Sequence, residues 1–105
     1  MRVLCVPAVL AAVALSGCSY DIATPDCETV LTPTEAAVCA SPKLRKLDRD
    51  LRKRYRVALS ISGDDEANLR SEQNAWIAER NTCLDDETCI AELYRERINV
   101  LADYD

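Results

Sequence analysis

The sequence predicts an all-α domain: a small antiparallel bundle of one short helix and three longer ones, stapled by two disulfides. Three observations carry this. Apolar residues recur at steps of three and four in separate segments, the spacing of a helix face. No stretch alternates apolar and polar residues as a half-buried strand does, and only two glycines occur among 105 residues. Residue types that start helices stand ahead of the periodic segments.

The first segment is set apart from the fold. Arg2 precedes an apolar run from Val3 to Leu15, followed by small residues. This is the pattern of a secretory signal, too short and too abruptly ended for a spanning helix. The stretch Leu15-Ser16-Gly17-Cys18 resembles the lipobox of bacterial lipoproteins. That resemblance implies removal of residues 1–17, alkylation of the Cys18 thiol by a diacylglyceryl group, and a lipidated N-terminus that holds the chain on a membrane. Cys5 falls in the discarded part. Residues 19–26 show no helical or strand period and are expected to form a tether. Its eight residues extend about 25–29 Å at most. The folded domain is expected over residues 27–105.

Thr32, Pro33 and Glu35 predict the first helix. Thr32 can cap it, proline suits the first helical position, and glutamate three residues after the cap completes a capping box. Pro42 disfavours helical geometry at Ser41, which is itself a good cap for the next helix. The second helix is expected from about residue 42 to 61, with Leu44, Leu47, Leu51, Tyr55, Ala58 and Leu59 along one stripe. Lys43, Arg45, Lys46, Arg49, Arg52, Lys53, Arg54 and Arg56 fill its other face. This basic run suits lipid headgroups in principle, but a solvated face is the simpler account, and the net negative charge argues against a membrane-surface module. Gly63 ends the pattern.

The third helix is expected from about residue 65 to 82, with Leu69, Gln73, Trp76, Ile77 and Arg80 inward. The fourth is expected from about 88 to 102, with Ile90, Leu93, Tyr94, Ile98 and Leu101 inward. Asp64, Asp65 and Glu66 precede one of these helices, and Asp85, Asp86 and Glu87 the other. Both clusters sit where the helix dipole favours negative charge. They are also the candidate surfaces for a charged partner.

Antiparallel pairing places Asp48 near residues 78 to 80, so an Asp48–Arg80 ion pair is expected. Trp76 should lie near Tyr94 or Arg95, and Gln73 near Ile98. Buried polar groups need partners, and Asp48, Tyr55, Gln73, Trp76, Arg80 and Tyr94 form the expected structural network.

Without residues 1–17 the chain keeps 88 residues, with 12 basic and 18 acidic side chains, and its net charge moves from −5 to −6. An acidic domain does not suit nucleic acid, whose phosphates must be neutralised. It suits a basic protein partner. Export would oxidise the four remaining cysteines, Cys27, Cys39, Cys83 and Cys89. Four cysteines allow three connectivities. Local pairing, Cys27–Cys39 and Cys83–Cys89, closes the smallest loops. Crossed pairing stays possible because both pairs should lie at one end of the bundle.

No histidine occurs, which removes the histidine-based nucleophile arrangements. No glycine-rich phosphate loop and no metal-ligand spacing is present. The expectation is a monomeric non-enzyme without cofactor or metal.

In order, the chain presents Cys27, Glu35, Cys39, Leu44, Leu47, Asp48, Leu51 and Tyr55. Gln73, Trp76, Arg80, Cys83, Cys89, Tyr94, Arg97 and Ile98 follow. Read as Q-x-x-W-x-x-x-R-x-x-C, then C and Y-x-x-R-I, this resembles the LprI-type lysozyme inhibitor family across almost the whole domain. The resemblance implies a small exported helical domain, often lipid-anchored, that inhibits lysozyme and so protects the bacterial wall. Lysozyme is then the basic partner. The tether enters at the disulfide end, which makes Asp64, Asp65 and Glu66 the more accessible of the two acidic clusters.

Overall fold

The computed structural model describes residues 27–29 and 31–104. The expected signal, Cys18 and the tether lie outside the described residues. Four α-helices follow in order: α1 (Pro33–Ala40), α2 (Pro42–Ser62), α3 (Glu66–Asn81) and α4 (Glu87–Ala102). Among the described residues there is no strand.

Local chemistry sets the helix ends. Thr32 accepts from the Glu35 amide while the Glu35 carboxylate accepts from the Thr32 amide, at 3.1 and 3.0 Å. This is the capping box the sequence announces. Ser41 ends α1 and caps α2, its hydroxyl accepting from the Leu44 amide. Gly63, at φ +55°, ends α2 and enters a 3-10 turn over Gly63–Asp65. The left-handed region suits glycine, which has no Cβ to clash. Asp86 caps α4, its carboxylate accepting from the amides of Thr88 and Cys89.

The core takes Leu44, Leu51, Tyr55 and Ala58 from α2, Leu69 and Trp76 from α3, and Ile90, Tyr94 and Leu101 from α4. Leu47, Leu59, Ile77, Leu93 and Ile98 are half-buried and pack against it. The most extensive helix–helix packing joins α2 and α4, which are not sequence neighbours. They carry the buried small residues Ala58 and Ala91.

Both disulfides are local: Cys27–Cys39, twelve residues apart, and Cys83–Cys89, six apart. They lie at the same end of the bundle. The buried Thr34 hydroxyl shows this, because it donates from α1 to the carbonyls of Leu84 and Asn81 in the α3–α4 turn, at 2.6 and 3.3 Å. The hydrophobic core and both disulfides lie within residues 27–104. No helix among the described residues is long and apolar enough to cross a membrane.

Candidate partner-binding surface

A buried polar network supports the disulfide end from beneath. Asp48 on α2 is 4% exposed, and its Oδ1 accepts from the Tyr94 hydroxyl at 2.9 Å. Its Oδ2 accepts from Arg52 Nε at 3.2 Å. Arg80, 1% exposed, donates Nη1 to the Tyr94 oxygen at 3.2 Å and donates Nε and Nη2 to Asn81 Oδ1. Its Nη2 also lies 3.9 Å from Glu35 Oε2, which ties the network to α1. The expected direct Asp48–Arg80 pair is not formed. The Tyr94 hydroxyl stands between them, donating to one and accepting from the other. A phenol can do both at once, so it separates two charges without leaving either unsolvated.

Burial dominates the ionisation of Asp48 and Tyr94. It raises the Asp48 carboxyl above its ordinary range, a shift the bonds from Tyr94 and Arg52 only partly offset. It also pushes the Tyr94 phenol up. Trp76 packs edge-on against the Tyr94 ring, with centroids 5.1 Å apart, and donates Nε1 to the Leu93 carbonyl. The Arg80 guanidinium lies 5.8 Å from the Trp76 ring centroid.

A second buried pair lies further along α3 and α4. Arg97 Nε donates to Gln73 Oε1 at 2.8 Å. Gln73 thus meets the neighbour of Ile98, one position from the sequence expectation. Tyr55, fully buried, lies within electrostatic reach of Arg97. Desolvation lowers the Arg97 pKa, and the nearby Glu72 charge opposes that shift. Gln73 Nε2 and Arg97 Nη2 are buried with no hydrogen-bond partner among the described residues. The six expected network residues thus divide: Asp48, Arg80, Tyr94 and Trp76 form one group, while Gln73 and Tyr55 group with Arg97.

Above the first network sits the clasp, the Cys83–Cys89 loop. Asp85, Asp86 and Glu87 are exposed there. Asp86 is occupied as the α4 cap, and Glu87 lies in the first turn of α4. Between them and Cys83 stands Leu84, at φ +55° and 58% exposed. A leucine in the left-handed region is costly by about 1–2 kcal/mol. Its backbone is held on both sides: the amide donates to Asn81, and the carbonyl accepts from Thr34. The side chain therefore projects into solvent from a fixed backbone. The sequence gives no sign of this, because glycine or asparagine is the usual marker of such a conformation.

At the other end, Asp64 and Asp65 form the exposed 3-10 turn and Glu66 begins α3. Asp65 makes no side-chain capping bond. Glu66 pairs with Arg70 at 2.8 Å. Ile61, 51% exposed, lies one turn back on α2. Both acidic clusters thus border an exposed aliphatic residue.

Charge is divided by element. Helix α2 carries eight basic residues and two acidic ones. From Cys18 onward the rest of the chain holds four basic and sixteen acidic residues. Among the described residues no group of three or more histidine, cysteine, aspartate or glutamate side chains could hold a metal ion.

A family model described as lysozyme inhibitor LprI matches residues 27–101, from the first disulfide cysteine to the last buried leucine. No curated protein and no solved structure matches the chain.

Proposed function

The chain belongs to the LprI lysozyme inhibitor family, and from that premise we propose that it is a cell-envelope lipoprotein that binds and occludes lysozyme, protecting peptidoglycan. The family match over residues 27–101 carries this reading. Two disulfides agree with an oxidising compartment outside the cytoplasm. The reading includes removal of residues 1–17, lipidation of Cys18, and a monomer acting without catalysis.

The acidic surface contributed by α3, α4 and their turns suits a basic enzyme. Complementary charge speeds encounter and makes it salt-dependent. Stable occlusion also needs an apolar anchor whose ordering cost is already met. Leu84 fits that requirement better than Ile61, because its backbone is bonded to both α1 and α3 and closed by a disulfide. We therefore place the contact at the clasp, with Leu84 as anchor and Asp85 and Glu87 beside it. Asp64, Asp65 and Glu66 serve as a secondary, steering surface.

The test is a titration of chicken-type, goose-type and invertebrate-type lysozymes with the oxidised chain from Ser19 onward, at low and physiological salt. Stoichiometric, salt-sensitive inhibition of one class is expected. No inhibition by a demonstrably folded chain would overturn the reading in favour of a structural or adaptor domain of the envelope.

A further inference from the structure

The clustered positive charge of α2 is not used by an acidic inhibitor of a basic enzyme. Arg45, Arg49, Arg52 and Arg56 recur at steps of four, three and four, which aligns them on one flank of the helix. All but the half-buried Arg52 are exposed. Three of them, Arg45, Arg49 and Arg52, line an open pocket of about 190 Å³ together with Asp48, Val38 and the Cys27–Cys39 disulfide.

Among the described residues, the only acidic side chain lining this pocket is Asp48, which already accepts from Tyr94 and Arg52. Arg52 uses its Nε for that bond. Among the described residues, neither Arg45 nor Arg49 has a carboxylate within ion-pair distance. Counted over the described lining residues, three guanidiniums against one satisfied carboxylate make the pocket positive, in a chain that is negative overall. Guanidinium groups present planar forks that match phosphate oxygens.

We infer that this arginine flank docks on the phosphates of anionic membrane phospholipids, with the pocket receiving one headgroup phosphate. Three observations favour a membrane as the occupant. The charge is complementary. The stripe runs along the outside of α2 and is not confined to one concave point, which suits a planar surface. Cys27 is both a wall of the pocket and the residue at which the expected tether of residues 19–26 ends. The chain therefore reaches the fold beside the arginines. Docked in this way, the domain would hold its basic helix on the bilayer and leave the acidic elements for a soluble basic partner.

The chain from Ser19 onward tests this without any lipid anchor, after circular dichroism has verified its fold. Its affinity is measured by co-sedimentation with phosphatidylcholine vesicles, with and without phosphatidylglycerol. Each basic side chain near such a surface is worth about fivefold in affinity, so Arg45→Gln/Arg49→Gln should lose about 25-fold. Lys43→Gln/Arg54→Gln removes the same charge from the opposite flank. The helix is about a Debye length thick at 0.1 M salt, so that pair should lose about twofold or less.

Selective loss in the arginine pair supports the site. Equal loss in both pairs would reduce it to diffuse charge attraction, and no preference for phosphatidylglycerol would remove it. A third arm titrates inorganic phosphate and follows the arginine side-chain resonances. Saturable phosphate binding without vesicle binding would replace the membrane by free phosphate and overturn the docking proposal. Lysozyme inhibition is measured separately on the same variants and should not change, so failure here is distinguishable from failure of the inhibitor reading.

Discussion

The two ends of the bundle hold the same ingredients and differ in how firmly they hold them. Each presents three consecutive acidic residues and an exposed aliphatic side chain, Leu84 at one end and Ile61 at the other. At the clasp end the turn is closed by a disulfide, capped by Asp86, bonded to α1 through Thr34, and underlain by the Arg80 network. At the Gly63 end no side-chain cap is made, and a glycine provides the turn. Composition alone therefore does not distinguish a binding surface from a solvated turn. Preorganisation does, because ordering a loop on binding subtracts from affinity.

The largest stability effect that separates the ends should come from Arg80→Met. It removes a buried cation that bridges α3, α4 and α1, and leaves the Tyr94 and Asn81 oxygens without their donor. A loss of about 3 kcal/mol is expected in urea denaturation. Opening the clasp with Cys83→Ser/Cys89→Ser should cost about 2 kcal/mol, the loop-closure term for so short a loop. It should also weaken inhibition, because Leu84 is then free to reorient.

A smaller effect compares the caps directly. Asp86→Ala should lower stability by about 1 kcal/mol, whereas Asp65→Ala should change it by a few tenths at most. Equal losses would mean that the two turns are held alike.

The smallest effect concerns pH. Asp48 is harder to ionise in the folded chain than in the unfolded one. Its burial penalty is therefore present at neutral pH. It is relieved as pH falls through the raised folded value towards the ordinary 3.8. Asp48→Asn does not titrate. The parent should consequently gain stability relative to Asp48→Asn on moving from neutral pH into the acid range, as read from thermal unfolding. A difference independent of pH would contradict the raised carboxyl pKa.

Much of this fold was legible because its signals are local. Thr32, Ser41 and Gly63 mark helix ends by their own chemistry, and the apolar stripes place Leu44, Leu69 and Ile90 inward without knowledge of their neighbours. What the sequence reading missed depends on third parties. The direct Asp48–Arg80 pair was inferred from two helices, and Tyr94 enters from a further one. Arg97, 8% exposed, stands in the Y-x-x-R-I motif but was absent from the expected polar network. Its place on the inner stripe of α4 was a signal that could have found it. Leu84 carries no sequence mark at all, since its left-handed backbone is imposed by the disulfide loop and by Thr34 from fifty residues away. The charge division was visible in composition. The pocket that gathers three arginines beside Cys27 required the fold.

The most direct test of the clasp as the contact site is lysozyme inhibition by Leu84→Gly beside Ile61→Ala. Glycine relieves the left-handed strain, so Leu84→Gly should be as stable as the parent or more so, by up to about 1 kcal/mol. Its inhibition should nevertheless fall by about 30-fold or more, the loss expected for an anchor residue. Ile61→Ala should inhibit as the parent does. Full inhibition by Leu84→Gly, or a comparable loss in Ile61→Ala, would contradict the clasp as the site of contact.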